Sequence, residues 1–218
     1  MSQLARDPTL ATLPVEMDWF VTVVRDAQTG NIAAFDTLFR LYNARICTYL
    51  ARMVGNDEEG RDLAQETFIK VWRALPSMHD ELHFDTWLFR IATNTAIDYL
   101  RRRKTRWPLW KEQDVENTPE SMSIAGPEKQ IEEAEHIKSA LVTLSPQYRA
   151  CLLLQHYVGL SQREIAKSLN LSEKSISIYV SRGSDQFRKA YERLANGKDA
   201  YERLANGKDA KEKVRSFK

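Results

Sequence analysis

Apolar residues recur at spacings of three and four almost throughout the chain, and strand-like alternation is scarce. This period is typical of amphipathic α-helices. In the first half of the chain, Gly55 is placed to end a helix as its C-cap, and Pro76 is placed to stop the next one. The predicted helices span residues 17–28, 32–53, 57–75 and 84–104. Four helices with short connections predict one compact helical domain over residues 17–106.

The helical period is lost between residues 105 and 128, where Pro108, Pro119, Gly126 and Pro127 lie among polar and acidic residues. Such a composition predicts a linker, with bounds of about 107–128. A second domain is predicted over residues 129–190. Its helices are expected at 129–143, 147–157, 161–169 and 172–189. The fold class is therefore all-α, with two small helical domains joined by an extended linker. Fully extended, the linker reaches roughly 80 Å.

The two ends of the chain carry no comparable pattern. Residues 1–16 are expected to be disordered. Residues 191–218 form a basic extension in which the segment 191–200 is repeated without change as 201–210. A perfect ten-residue copy is too short for a solenoid, so a recent duplication or a cloning artefact is the favoured origin. Gly197 and Gly207 are each expected to interrupt a helix.

The composition, with 43% hydrophobic and 28% charged residues, is that of an ordinary globular protein. The longest apolar runs are too short to cross a bilayer, and the N-terminus lacks the order of a signal peptide, so we expect a cytoplasmic protein. Cys47 and Cys151 fall on apolar helical faces and are expected to be reduced core residues. The four histidines show no ligand spacing with the cysteines, so we expect neither a metal nor a cofactor.

The net charge of +2 conceals an uneven distribution. The segment 101–106 is a dense basic block, whereas residues 112–135 are acidic. A duplex-binding surface needs local positive charge, because neutralising phosphates supplies most non-specific affinity. Taken alone, a single basic run more often marks a solvated helix end.

Residues 161–176 have the pattern of a helix-turn-helix. Ser161 and Glu164 form a capping box, and Asn170 stands where a tight turn needs a left-handed residue. Ala166 is small where a second helix must cross closely, and Ile176 is placed to pack back onto the first helix. Leu171 is expected in the core, and Ser172 is expected to cap the second helix.

The exposed face of that second helix is the candidate DNA-reading surface. Arg182 is the best candidate for a bidentate contact with guanine. Lys174 and Ser175 lie near the positive end of the helix, which suits phosphates. The predicted face comprises Glu173, Lys174, Ser175, Ser177, Ile178, Ser181 and Arg182.

The helix predicted at 84–104 combines aromatic and basic residues, a combination that suits single-stranded bases. Asn94 and Asp98 share a face with Arg101 and Arg102. Trp87 fits both a stacking platform and an ordinary core position, and the pattern alone leaves these alternatives open.

Two sets of motifs resemble a known family. The segments 62–72 (DLAQETFIKVW) and 84–99 (FDTWLFRIATNTAIDY) resemble region 2 of the extracytoplasmic-function (ECF, group 4) subfamily of sigma-70 RNA polymerase sigma factors. The segments 144–149 (LSPQYR) and 159–166 (GLSQREIA) resemble region 4 of that subfamily. The resemblance covers residues 17–190 in the family's order.

The resemblance implies a transcription initiation factor for a stress or signal-responsive regulon, without enzymatic activity. It implies contact with core RNA polymerase, through the clamp helices of its β′ subunit, by Asp62, Gln65, Glu66, Phe68 and Trp72. It implies that the 76–84 loop with Met78, together with Asn94, reads an unpaired base of the −10 element. It further implies that the −10 duplex is contacted by Asp98, Arg101, Arg102 and Arg103. The −35 element would be read by residues 172–189. The resemblance also implies that an anti-sigma factor regulates the protein.

This chain departs from the family at two places. Met78 and Asp80 stand where Phe and Gly are common in the base-capturing loop, and the segment 177–179 reads Ser-Ile-Tyr where many members have Arg-Ser-Arg.

Two other classes of protein fit parts of the sequence. One is a stand-alone helix-turn-helix regulator with a helical ligand or dimer domain. The other is a DNA recombinase, for which the acidic face of Glu58, Glu59, Asp62 and Glu66 lacks catalytic companions.

Overall fold

The computed structural model describes residues 16–106 and 128–215, and within them it contains helices and turns but no strand. The expectations of a disordered N-terminus and an extended linker concern residues 1–15 and 107–127, which lie outside the described residues. The all-α fold with two helical units is confirmed. The helices are α1 (Glu16–Gln28), α2 (Ile32–Val54), α3 (Asp57–Ala74), α4 (Phe84–Arg106), α5 (Glu128–Val142), α6 (Pro146–Leu153), α7 (Gln162–Leu169) and α8 (Glu173–Arg215).

Side-chain caps define the ends of the early helices. The Asn31 side chain accepts hydrogen bonds from the amides of Ala33 and Ala34 at the start of α2, and Asn56 accepts one from the Glu59 amide at the start of α3. These bonds satisfy amides that have no partner within their own helix. Three acidic residues in the first turn of α3 complement the helix dipole.

Helices α1–α4, with two short 3₁₀ turns at Leu75–Ser77 and Glu81–His83, form the N-terminal unit. Its core is rich in aromatic rings, and Tyr49, Phe84 and Phe89 are almost completely buried there. The Tyr49 and Phe89 rings meet edge to face at 5.2 Å, and the Tyr49 hydroxyl is 2.6 Å from Thr93 Oγ1. This hydrogen bond satisfies a polar group that burial would otherwise penalise.

Helices α5–α8 form the C-terminal unit, whose core is aliphatic. Leu154, Ile165 and Ile176 are fully buried between its helices. A π-helical turn at Leu154–Val158 follows α6 and ends at Gly159. Cys151 is fully buried in this core and Cys47 is half-buried in the N-terminal unit, and both are free thiols.

Two expectations about the C-terminal unit were wrong. Helix α8 continues to Arg215 through Gly197 and Gly207, because a glycine costs only about 1 kcal/mol relative to alanine and most neighbouring residues (Ala, Leu, Glu, Arg and Lys) are good helix formers. Leu171 is 38% exposed rather than buried. Its amide donates to the Ala166 carbonyl and thereby holds the inter-helix turn at the surface.

The two units pack against each other. Helix α2 contacts α5 and α6, and α4 contacts α7. No helix in the described ranges has an apolar stretch long enough to cross a membrane.

Candidate nucleic-acid interface

The capping box at the start of α7 is present as predicted. The Ser161 amide donates to Glu164 Oε2 at 2.7 Å, and the Glu164 amide donates to Ser161 Oγ at 3.3 Å. The hydrogen bonds from Ser161 hold the pKa of the Glu164 carboxyl below its usual range. The box therefore determines where α7 begins and how it is oriented.

The turn between α7 and α8 also follows the prediction. Asn170 has φ 53° and ψ 47°, and it is the single non-glycine residue with positive φ in the described ranges. Ser172 Oγ accepts a hydrogen bond from the Ser175 amide at 3.1 Å and caps α8, while Ile176 is fully buried against α7. The two helices therefore have a helix-turn-helix arrangement.

The predicted reading face of α8 lies on the surface. Ser175 is half-buried, and its hydroxyl is 2.8 Å from that of Ser172, so its amide and its hydroxyl are both occupied. Arg182 has no ion-pair partner among the residues that the structure describes, which leaves its guanidinium available. The exposed members of the face are Glu173, Lys174, Ser177, Ile178, Ser181 and Arg182.

The candidate −10 residues of α4 divide into exposed and engaged side chains. Asn94 and Arg102 are exposed. Asp98 forms an ion pair with Arg101 at 2.9 Å. Arg103 reaches across to Glu59 of α3 at 3.2 Å, so the acidic start of α3 already engages part of the basic block.

The loop before α4 is anchored to α1. The Gln28 side chain donates to the Met78 carbonyl at 2.7 Å, and Arg25 pairs with Glu81 at 3.6 Å. Met78 itself is only 6% exposed and belongs to the core. In this conformation its side chain is therefore not available to a base, whereas His79 and Asp80 are exposed.

Trp87 packs in the core and also leaves part of its ring accessible. It is half-buried against the core, with its ring 5.9 Å from that of Phe84. Its accessible part lines a cleft between the 77–83 loop and α7, together with Arg90 of α4.

Three of the five candidate polymerase-binding residues, Gln65, Phe68 and Trp72, line an apolar groove between α2 and α3. Gln65 is on its rim, and Phe68 and Trp72 form part of its wall. Phe68 is 5% exposed, so it packs beneath the groove and presents little surface to a binding partner. Asp62 and Glu66 do not line it: Asp62 is exposed one turn earlier on α3, and Glu66 pairs at 2.7 Å with Lys70, which also bonds Thr95 of α4.

The sequence did not identify the most accessible apolar residues of this groove. Ile32 is 75% exposed and Ile69 is 52% exposed. The Phe35 ring meets Trp72 at 4.8 Å and the Phe39 ring meets Phe68 at 4.8 Å, so both wall residues serve the core as well. Ile69 lies four residues after Gln65 and three before Trp72. This spacing places the three residues on one helical face and could have identified Ile69 from the sequence.

The acidic side chains near the start of α3 do not form a metal centre. Among the residues that the structure describes, no three His, Cys, Asp or Glu side chains are grouped in a way that could hold a metal ion. Asp62 is exposed to solvent. Arg103 neutralises part of the charge of Glu59.

Comparison with known families gives a match for each unit. Residues 38–106 match the model of sigma-70 region 2, and residues 135–186 match that of sigma-70 region 4. The first match ends at the C-terminus of α4, and the second includes α6, α7 and the reading part of α8.

Curated relatives and solved structures agree with these matches. The ECF RNA polymerase sigma factor SigW of Bacillus subtilis is 30% identical over 181 residues, which are 76% of this chain and 93% of the relative. The RNA polymerase sigma-H factor of Pseudomonas aeruginosa is 31% identical over 185 residues, 79% of this chain and 93% of that protein.

The fold is similar to CnrH in complex with the cytosolic domain of CnrY, with a TM-score of 0.59 and 24% identity over 79% of this chain and 97% of that one. It is equally similar to the Bartonella quintana sigma factor RpoE in complex with the anti-sigma factor NepR, with a TM-score of 0.59 and 20% identity over 74% of this chain and 98% of that one. The chain therefore belongs to the ECF family of sigma-70 RNA polymerase sigma factors.

Proposed function

We propose that this sigma factor belongs to group 4 of the sigma-70 family and acts in the cytoplasm, without catalytic chemistry of its own, as the promoter-reading subunit of RNA polymerase. The observation that carries the proposal is the distribution of surfaces over two units. One unit has an exposed helix-turn-helix face with a free arginine, and the other has an exposed apolar groove beside a polar, basic helix.

The groove between α2 and α3 is the proposed contact with core polymerase. Ile32 and Ile69 expose apolar surface that a helical partner would bury, at about 25 cal/mol per Å². Gln65 lies on the rim, and Asp62 and Glu66 are within one helical turn of it on α3, so we assign these three residues to the polar periphery of the interface. A helix-in-groove mode suits the β′ clamp helices.

Promoter recognition is proposed to divide between the units. Arg182 reads guanine at the −35 element, and Lys174, Ser177, Ile178 and Ser181 complete the contact with its bases and backbone. Asn94 and the residues Asp98 and Arg101–Arg103 meet the −10 element. The exposed part of the 77–83 loop, rather than the Met78 side chain, holds the unpaired base.

An anti-sigma factor is the proposed regulator. Two solved structures similar to this chain are complexes, CnrH with the cytosolic domain of CnrY and RpoE with the anti-sigma factor NepR. A protein that has a groove for polymerase presents a surface that a competing helical protein can also occupy. We propose no small-molecule substrate and no cofactor.

Run-off transcription with sigma-free core polymerase and a genomic promoter library tests the −35 assignment. Arg182→Ala should lower transcription from −35-dependent promoters about 5- to 150-fold, because a bidentate arginine–guanine pair is worth about 1–3 kcal/mol. The matched control is Arg193→Ala, which removes an exposed arginine from the same helix beyond the segment 172–189. Equal activity of both variants would remove Arg182 from the reading face. No promoter-specific transcript from the wild type would favour the stand-alone regulator.

The groove is tested by binding to core polymerase. Ile69→Glu should weaken binding at least tenfold, because a charge would enter the apolar contact. Leu41→Glu is the control, since Leu41 is 48% exposed on α2 but does not line the groove. Reversing the charge of Asp62 or Glu66 should weaken the same interaction and leave DNA binding by the reading face unchanged. Normal binding of Ile69→Glu to core polymerase would show that the polymerase contacts a surface other than the groove.

A further inference from the structure

Helix α8 presents an apolar side chain in the middle of its polar reading face. Ile178 is 39% exposed. The core side of the helix is filled by Ile176 and Val180, which are buried, and Ile178 lies about 200° around the helix axis from each of them. The other exposed members of the face are charged residues or serines, namely Glu173, Lys174, Ser177, Ser181 and Arg182. The packing of the C-terminal unit therefore does not account for an isoleucine at this position.

The neighbours of Ile178 on this face form a row that suits the major groove of duplex DNA. Lys174 lies four residues before it and Arg182 four residues after it, so the three side chains follow one stripe of the helix. Ser177 and Ser181 flank this stripe with short side chains. Short side chains let the helix approach the floor of the groove, where the longer isoleucine and arginine can reach the edges of the bases.

The aromatic residue that follows Ile178 belongs to the core instead. The Tyr179 ring lies 5.3 Å from the Tyr148 ring of α6, measured between centroids. Tyr179 is half-buried and packs against the hydrophobic core. Within the segment 177–179, Ile178 is therefore the apolar side chain that is available to DNA.

The major-groove edges of the four bases differ in a property that an isoleucine can distinguish. Thymine carries a C5-methyl group there, whereas guanine, adenine and cytosine present hydrogen-bond donors or acceptors. The Ile178 side chain can neither donate nor accept, so contact with a polar edge would remove water without replacing the lost hydrogen bonds. Contact with a thymine methyl group buries apolar surface on both sides. The chemistry of the side chain therefore favours thymine over the other three bases.

The position of that thymine follows from the geometry of the helix. Ile178 and Arg182 are four residues apart, which corresponds to a rise of about 6 Å along the helix axis. Successive nucleotides of a strand are about 3.4 Å apart along the duplex axis. Two contacts about 6 Å apart therefore fall on base pairs that are no more than about two steps apart.

We propose that Ile178 is a specificity-determining residue that reads the C5-methyl group of a thymine in the −35 element, within about two base pairs of the guanine contacted by Arg182. This inference rests on the proposed function and deepens it, because it names a base that the promoter contains. Lys174, at the N-terminal end of the stripe, contacts the phosphate backbone.

Selection of DNA by the assembled polymerase locates the thymine. Core polymerase loaded with the full chain selects −35 sequences from a randomised duplex library, once with the wild type and once with Arg182→Ala. The wild type should enrich a guanine that Arg182→Ala no longer enriches. A thymine on either strand should be enriched within about two base pairs of that guanine.

Deoxyuridine then tests the contact at the level of a single methyl group, because uracil is thymine without its C5-methyl group. Replacing the selected thymine by deoxyuridine should weaken binding of the loaded polymerase about fourfold. This change corresponds to about 0.8 kcal/mol, the value for one buried CH₂-sized group. The measurement is the ratio of affinities for the thymine duplex and the uracil duplex.

Variants of the chain assign the methyl contact to one side chain. Ile178→Ala should bind both duplexes equally, because the shortened side chain no longer reaches the base. Folding should be unaffected, since Ile178 is exposed and alanine is the better helix former. The matched control is Leu194→Ala, because Leu194 is 37% exposed on the same helix beyond the segment 172–189. This control should keep the fourfold preference for thymine, so the two variants form a double-mutant cycle with the base.

The possible failures are distinguishable. Equal affinity of the wild type for the two duplexes, or a preference for thymine that survives Ile178→Ala, would overturn the role of Ile178 and leave the proposed function intact. The same conclusion would follow if no thymine is enriched near the guanine that depends on Arg182. If the wild type enriches no −35 sequence at all, the proposed function itself is wrong.

Discussion

The N-terminal and C-terminal units are both four-helix assemblies, but they are stabilised in different ways. The N-terminal unit interlocks aromatic rings, with Tyr49 against Phe89 at 5.2 Å and Phe39 against Phe68 at 4.8 Å. The C-terminal unit has a smaller aliphatic core, and each of its short helices α6 and α7 begins at a serine cap. Packing therefore dominates in the first unit, and local backbone geometry has a larger share in the second.

This difference suits the two tasks proposed for the units. A surface that binds polymerase and captures a base benefits from a rigid platform, which large buried rings provide. A helix-turn-helix needs only the correct angle between two short helices, which a capping box and one left-handed residue determine.

The chain also provides a convenient fluorescence probe of the N-terminal half, because all five tryptophans precede residue 111. Tryptophan fluorescence therefore does not report directly on the C-terminal unit.

The largest effect is expected from the aromatic core. Phe89→Ala should destabilise the N-terminal unit by about 3–5 kcal/mol, because it removes a fully buried ring and leaves a cavity. Urea denaturation followed by tryptophan fluorescence measures the loss. Ile69→Ala is the control, since Ile69 is 52% exposed and should change stability little. A loss below 1 kcal/mol for Phe89→Ala would mean that aromatic packing does not distinguish this unit.

An intermediate effect is expected at the inter-helix turn. Asn170→Val should destabilise the C-terminal unit by about 1–2 kcal/mol, because a β-branched residue is disfavoured at φ 53°. Asn170→Gly is the matched control and should be nearly neutral, since glycine adopts this conformation freely. Circular dichroism follows the unfolding. Equal stability of the two variants would contradict the importance of backbone geometry here.

The smallest effect is expected at the capping box. Ser161→Ala should cost about 1 kcal/mol in the free energy of unfolding at pH 7. The folded state lowers the pKa of Glu164, so its contribution is complete above the ordinary glutamate pKa of about 4.3 and is lost as pH falls through the lower folded value. The difference between wild type and Ser161→Ala should therefore shrink on acidification. A constant difference would show that the Glu164 carboxylate plays no part.

Local features of the fold could be predicted from the sequence alone. The bounds of most helices, the caps at Ser161 and Ser172 and the left-handed Asn170 all depend on residues within four positions of one another. The pattern of the helix-turn-helix is equally local, so its exposed face was predictable apart from the half-buried Ser175.

Tertiary structure decided the features that depend on which distant residues meet. Met78 is buried because α1 holds its loop from 50 residues away through Gln28. The exposed groove at Ile32 and Ile69 exists because α2 and α3 cross where neither helix covers the other completely. Arg149 is buried because the ends of α2 and α5 meet around it. A local pattern specifies which residues can form a helix end, whereas burial and pairing across the chain depend on the free energy of the whole packed arrangement.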